Sequence, residues 1–239
     1  GDDEVLIDPV LGRFALGKKL RRKPVQVTFH TAASATIGGG EYERGHTFTV
    51  GDDTETVVLD DTAELQAALG SHASGGVIEV ADQGRARPAQ QVAISLDDAA
   101  RLELRAANAR WTCLALKGDL EIDGGAGAEV ELSGLLISGG AIRVVAANEA
   151  GLRRLRLRDC TLVPGVEVGA DGVAVGPERP SLVVEAPGVE VSLDRCVTGG
   201  LRVHADSAIE IVDSVIDAAA GTGERTRLAY GAPPGTGPG

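Results

Sequence analysis

The sequence predicts an all-β fold: a solenoid of stacked parallel coils, entered through one short helix and preceded by a small β module. Three observations predict it. First, an apolar-polar-apolar-polar stretch recurs through the second half of the chain, as LELRA (102–106), VELSGLLISGG (130–140), LRLRDCTLVPG (155–165), VSLDRCVTGG (191–200) and IEIVDSVIDA (209–218). Second, 33 of the 239 residues are Gly, whereas Phe, Tyr and Trp number only three, two and one. Third, an amphipathic stretch at 60–74 leads directly into a Gly-bounded apolar run, GGVIEVADQG (75–84).

Taken in order, residues 1–59 read as a small β module or the end of a preceding domain. PVQVTFHTA (24–32) and HTFTV (46–50) alternate as half-buried strands do, and IGGGEYERG (37–45) reads as a turn-rich connector. Residues 60–74 form the cap helix. Asp61 or Thr62 can accept from its free amides, Glu64 lies in its first turn, and Leu65, Ala68 and Leu69 share one face. Gly70 and Gly75-Gly76 are expected to end it. The helix would cover the apolar end of the first coil.

Residues 75–228 are the coils, with units starting near 75, 101, 129, 152, 189 and 208. Each repeat holds a small or polar residue after its first strand (Gly134, Asp159, Arg195, Asp213), and then Leu135, Cys160, Cys196 or Ser214 turns inward. Further strands are expected at LEID (120–123), AIRVV (141–145), SLVVEA (181–186) and LRVHA (201–205). Unit lengths are uneven because insertions loop out at corners, and VGADGVAVGPERP (168–180) reads as one such loop. Residues 229–239, ending in GAPPGTGPG, read as a linker or truncated end. With no Met in the chain, residue 1 is not expected to be a natural start.

Alternation places Leu132, Leu157, Leu193 and Ile211 in one inward column. Aliphatic and small residues fit a narrow coil better than rings do, which accounts for the composition. The cap-like stretch TAELQAALGSHASGGVIEV (62–80) followed by repeated coils resembles the right-handed parallel β-helix superfamily, the pectate-lyase-like fold, over residues 60–218. That resemblance implies a single-stranded right-handed parallel β-helix. VTFHTAASATIGGGEYERG (27–45), together with GLRRLRLRDCTLVPG (151–165), is similar to segments of large bacterial β-helix proteins that accompany phage-tail-like or contractile-injection gene sets. It implies a structural or recognition part of a larger particle, with other subunits or domains as partners.

A net charge of -12 argues against nucleic acid as a partner, since phosphate contacts need clustered Lys and Arg. No run approaches a membrane span of roughly 20 apolar residues. Cys113, Cys160 and Cys196 form no close pair and read as reduced and buried.

Several β-helix proteins cleave polysaccharides, so a carbohydrate-active role is the alternative. The superfamily's galacturonase-type hydrolases carry Asn-Thr-Asp, Asp-Asp, Gly-His-Gly and Arg-Ile-Lys motifs, of which only Asp-Asp occurs here, at 52–53, 60–61 and 97–98. Adjacent strand residues face opposite ways, so such a pair aims one carboxylate at a cleft. Asp60-Asp61 reads as a helix cap and Asp97-Asp98 as a turn.

The nearest candidates for a base or a cation site are Arg158, Asp159, Asp194 and Asp213, on one face of adjacent coils or at its corner. The competing reading is a charge ladder, with Glu131, Arg156 and Ser192 in one outward column and Ser133, Arg158, Asp194 and Val212 in the next. Trp111 and Tyr230 are the only rings in the coils that could stack on sugar. His30, His46, His72 and His204 lack the spacing of a metal site, and no cofactor is expected. The basic run 18–23 suits either an acidic partner or a solvated strand edge.

Overall fold

The computed structural model describes residues 5–8, 13–20, 36–48, 55–81, 88–145, 151–163, 165, 167–218 and 227–233. The described chain is mostly β, with three parallel sheets and one short α-helix. The first sheet has seven strands: Thr56–Leu59, Gly76–Val80, Arg101–Ala106, Glu129–Ser133, Arg154–Arg158, Glu190–Asp194 and Ala208–Val212. The second has five: Thr112–Ala115, Leu135–Ser138, Thr161–Leu162, Val197–Thr198 and Val215–Ile216. The third has six: Ala93–Leu96, Leu120–Gly124, Ile142–Val144, Leu182–Val184, Leu201–Val203 and Tyr230–Gly231. From Arg101 onward the chain visits first, second and third sheets in turn and then repeats the circuit.

Register follows from the repeat. Leu104 pairs with Leu132, Leu132 with Leu157, Leu157 with Leu193, and Leu193 with Ile211. The column extends back through Ile78, which pairs with Leu104, to partly buried Val57. Its members from Ile78 to Leu193 are 0% exposed, but Ile211, in the last circuit, is 38% exposed. Strand alternation turns these side chains inward, and each completes the burial of its neighbour.

From Glu129–Ser133 onward, the corner between first and second sheets turns on one left-handed residue directly after the first-sheet strand. Gly134, Asp159, Arg195 and Asp213 occupy it with φ of 72°, 52°, 51° and 47°. Their left-handed backbone reverses the side-chain direction, so Leu135, Cys160 and Cys196 are buried next. The corner amides stay bonded along the stack: Gly134 N donates to Arg158 O (3.0 Å), Asp159 N to Asp194 O (2.9 Å) and Arg195 N to Val212 O (3.1 Å).

The cap helix is a 3-10 turn, Thr62–Glu64, continuing into an α-helix, Leu65–Ser71. The Asp61 carboxylate accepts from Ala63 N at 2.9 Å. Leu65 and Leu69 are buried, and Ala68 packs on the same core. Gly70 does not end the helix as its residue type suggests; it sits inside the last turn, and His72 follows as the C-cap. The buried His72 ring instead meets the Ala68 carbonyl at 2.8 Å, which also accepts from Ser71 Oγ at 2.9 Å. Gln66 covers the edge of the third sheet by accepting from Ala93 N (2.8 Å) and donating to Ala93 O (3.2 Å).

Other expectations are displaced. HTFTV does not form a strand over its described part: Gly45–Thr47 is a 3-10 turn and Phe48 is extended beyond it. PVQVTFHTA lies outside the described residues. Parallel pairing starts at Thr56–Leu59, inside the stretch read as a preceding module, and Tyr230–Gly231 pairs inside the stretch read as a linker. Composition cannot register those ends, because one paired strand needs only three or four suitable residues. The long insertion is a small antiparallel hairpin, Glu167–Val168 with Ala174–Val175. Strands Ala93–Leu96 and Thr112–Ala115 were not legible as coil members. Cys113 is half-buried, because it lies on an outward position of the second sheet; Cys160 and Cys196 are buried, and all three are free thiols. Burial pushes the Cys196 thiol up to about 12 and the Cys160 thiol well above its usual range.

The inward column carries a clear expectation. Leu132→Ala should lower unfolding free energy by about 2–5 kcal/mol. Ile211→Ala should cost under about 1.5 kcal/mol, since its side chain loses little burial. Urea titration of the two variants measures the difference.

Candidate functional site

Among the described residues, the outward face of the first sheet carries a dense set of ion pairs. Strand alternation fixes three outward columns on it. One runs Arg101, Glu129, Arg154, Glu190; a second runs Glu103, Glu131, Arg156, Ser192, Glu210; a third runs Glu79, Arg105, Ser133, Arg158, Asp194, Val212. Arg154 bridges Glu129 at 3.6 Å and Glu190 at 2.7 Å, and Arg101 approaches Glu129 at 3.7 Å. Glu131 contacts Arg156 at 3.3 Å and Arg158 at 3.0 Å, while Arg105 links Glu79 at 2.9 Å to Glu103 at 3.2 Å. Acids and guanidinium groups are thus interleaved between columns, and the first column alternates from Arg101 to Glu190.

A groove of about 710 Å³ crosses this face, lined among others by Arg101, Glu103, Glu129, Glu131, Arg154 and Arg156. Glu103 and Glu131 lie in register on adjacent strands, whose backbones are about 4.8 Å apart. Burial raises the Glu131 pKa; Arg158 pulls it down and Glu103 pushes it up, and the net shift is upward. A pair of acids facing one groove is the residue type that glycoside hydrolysis uses. Here, however, each is held by a guanidinium, which offsets the proton affinity a general acid needs.

Residues 36–48 lie across the corner of the stack. Their anchor is Arg44, 1% exposed, whose guanidinium donates to Arg110 O at 2.7 Å, Ala107 O at 3.2 Å and Gly40 O. Phe48 lies over the Arg105 guanidinium at 4.1 Å, and Arg158 donates to Thr47 O at 2.9 Å. Tyr42 donates to Gly38 O, and burial, followed by the Asp159 charge, pushes its phenol pKa up. A Cβ at Gly134 would sit 2.6 Å from Arg44 Nη2, which is why this corner is Gly while its equivalents are Asp159, Arg195 and Asp213.

The four residues singled out in the sequence divide. Arg158 and Asp194 are outward neighbours, 3.6 Å apart, and Arg158 also holds Glu131. Asp159 is 1% exposed at the corner and is gripped by Arg195 at 2.7 and 3.0 Å, with Arg195 reaching Asp194 at 3.2 Å. Asp213 is exposed one circuit further on and belongs to no cluster with the others. Sequence reading missed the groove, Glu103 and Arg44. The equal spacing of Glu103 and Glu131 within their repeats could have paired the two acids; nothing in the pattern places Arg44 over Gly134.

Among the described residues, no group of three His, Cys, Asp or Glu could hold a metal ion, and no helix is long and apolar enough to cross a membrane. His46 is exposed beside Glu43 at 3.5 Å, and His204 lies 3.8 Å from Asp206. His30, Asp52-Asp53 and residues 21–23 of the basic run fall outside the described residues, while Lys18 and Lys19 lie in a turn. Asp98 accepts from Ala126 N at 2.8 Å, as a turn residue. Trp111 is half-buried and Tyr230 exposed. Comparison with protein-family models, curated proteins and solved structures finds no match to this chain.

Two outcomes are expected. Gly134→Ala should destabilise by more than the roughly 1–2 kcal/mol of a left-handed non-Gly backbone, because Arg44 is displaced as well. Limited proteolysis should then cut within 36–48. Glu131→Gln tests the raised carboxyl. A raised folded pKa contributes stability that is fully present below the unfolded value and is lost as pH rises through the folded value. The wild type should therefore lose stability as pH climbs from about 4.5 through the raised value, and the variant should lose less over that window in pH-stepped urea titrations.

Proposed function

We propose that this chain is a single-stranded right-handed parallel β-helix acting as a non-enzymatic structural or interaction module of a larger bacterial assembly. The observation that carries the reading is the mutual neutralisation of the outward face. Arg105, Arg154, Arg156 and Arg158 each contact a carboxylate, so acids on that face are held by cations. Such a lattice stiffens a surface; each exposed pair contributes about 0.2–1 kcal/mol. The threefold rotation of the chain among parallel sheets supports the β-helix. A phage-tail-like particle is the finer form of this proposal and rests on the resemblance of segments 27–45 and 151–165.

The groove with Glu103 and Glu131 in register favours a second reading, a polysaccharide lyase, hydrolase or glycan binder. Incubation with uronate polysaccharides, with and without Ca²⁺, followed at 235 nm and by reducing-end release, separates the two. The module reading expects neither signal above a boiled control. Product that disappears in Glu131→Gln would replace it with the enzymatic reading.

A further inference from the structure

The crossing segment 36–48 ends on the ionic face, and there it competes with a carboxylate for one nitrogen. Arg158 Nη1 donates to Thr47 O at 2.9 Å. The same Nη1 lies 3.0 Å from Glu131 Oε1. Yet Glu131 Oε1 is buried and, among the described residues, accepts no hydrogen bond. The guanidinium therefore faces Glu131 as a charge, while its hydrogen bond goes to the crossing segment. Ser133 lies between Arg105 and Arg158 in their column, and its buried Oγ also has no partner among the described residues. Buried polar atoms nearly always find a partner, so two orphans beside one guanidinium mark an arrangement with a close competitor.

The charges around Glu131 define that competitor. The strand Arg154–Arg158 offers Arg156, which reaches Glu131 Oε2 at 3.3 Å, and Arg158, which also lies 3.6 Å from Asp194. The strand Arg101–Ala106 offers Glu103 and Arg105, and Arg105 is held by Glu79 and by Glu103 itself. From the crossing segment comes the uncharged Thr47 carbonyl; its titratable pair, Glu43 and His46, is exposed, with 3.5 Å between them. Burial lifts the Glu131 carboxyl above its ordinary value, and Arg158 offsets this only in part. An ionised Glu131 needs the donor it lacks. A small turn of Arg158 gives Nη1 to Oε1 and withdraws it from Thr47 O. A protonated Glu131 makes no such demand and leaves Arg158 on Thr47.

We propose that the Thr47–Phe48 end of the crossing segment is a proton-controlled strap, seated on the ionic face while Glu131 carries a proton and released when Glu131 gives that proton to solvent and takes Arg158 for itself. The seated state holds the proton more firmly than the released state. Seating is therefore complete below the released-state value and weakens as pH rises through the seated-state value. Release is local. Arg44 stays anchored on Ala107 O and Arg110 O, and Gly38 N stays bonded to Arg195 O. Phe48 lifts from the Arg105 guanidinium, so pH sets how much of the ionic face is uncovered. This holds whether that face docks a partner or binds a glycan.

The test follows backbone hydrogen exchange of the full chain, corrected for the intrinsic pH dependence of exchange, beside a carboxyl-carbon NMR titration of Glu131. The Thr47 and Phe48 amides donate to Arg44 O and Gly45 O. Their protection should fall about tenfold, the worth of one hydrogen bond to a charged group. The fall should share its midpoint with the Glu131 carboxyl, while Gly38 protection stays constant. Glu131→Gln should keep the acid-side protection at every pH, and His46→Gln should respond as the wild type does. Protection at Thr47 that is flat across the Glu131 midpoint would overturn the proposal. So would a loss shared with Gly38, a response that survives Glu131→Gln, or one abolished by His46→Gln. The wild-type midpoints decide the matter even where Glu131→Gln does not fold.

Discussion

Parallel hydrogen bonding between successive strands of the first sheet holds each residue directly over its equivalent one circuit later, and the rest of the structure follows from that stacking. The column from Ile78 to Leu193 is sealed because each member lies between two others. The same register that stacks Leu on Leu stacks charge on charge outside, so an outward residue is chosen against its vertical neighbours. Arg154 between Glu129 and Glu190 is stable there, whereas a third acid in that place would meet two like charges.

The corner connects the two faces. A single left-handed residue switches the chain from the first sheet to the second, and in three circuits that residue is an acid or a base rather than Gly. Its backbone cost is offset where the side chain gains a partner, as Asp159 does from Arg195. Where the segment 36–48 crosses the stack, the space belongs to Arg44 and the corner must be Gly134. One geometric position is therefore read two ways, as an ion pair and as a seat for a crossing segment.

The electrostatics of the face bear on how its groove is understood. Glu103 and Glu131 stand in register on adjacent strands, and burial raises the pKa of Glu131. The guanidinium groups of Arg105, Arg156 and Arg158 supply the opposing field. Acids that alternate with bases form a surface of low local charge, although the chain as a whole carries -12. The excess acid is seen elsewhere, including exposed Asp206, Glu210 and Asp213.

The sequence by itself determined the repeat, the inward column and the cap helix, because alternation, Gly placement and an Asp61 cap are local properties of consecutive residues. The strand starts near 101, 129, 154, 190 and 208 and the columns through Leu157 and Arg158 were legible for that reason. Tertiary structure alone decided what depends on residues distant in the chain. Arg44 meets Arg110 O and Gly134, Phe48 meets Arg105, and Thr56–Leu59 joins the first sheet although its composition resembles the segment before it. Those contacts are set by where the backbone returns in space, and no periodicity in the sequence encodes a side chain that arrives from outside the repeat.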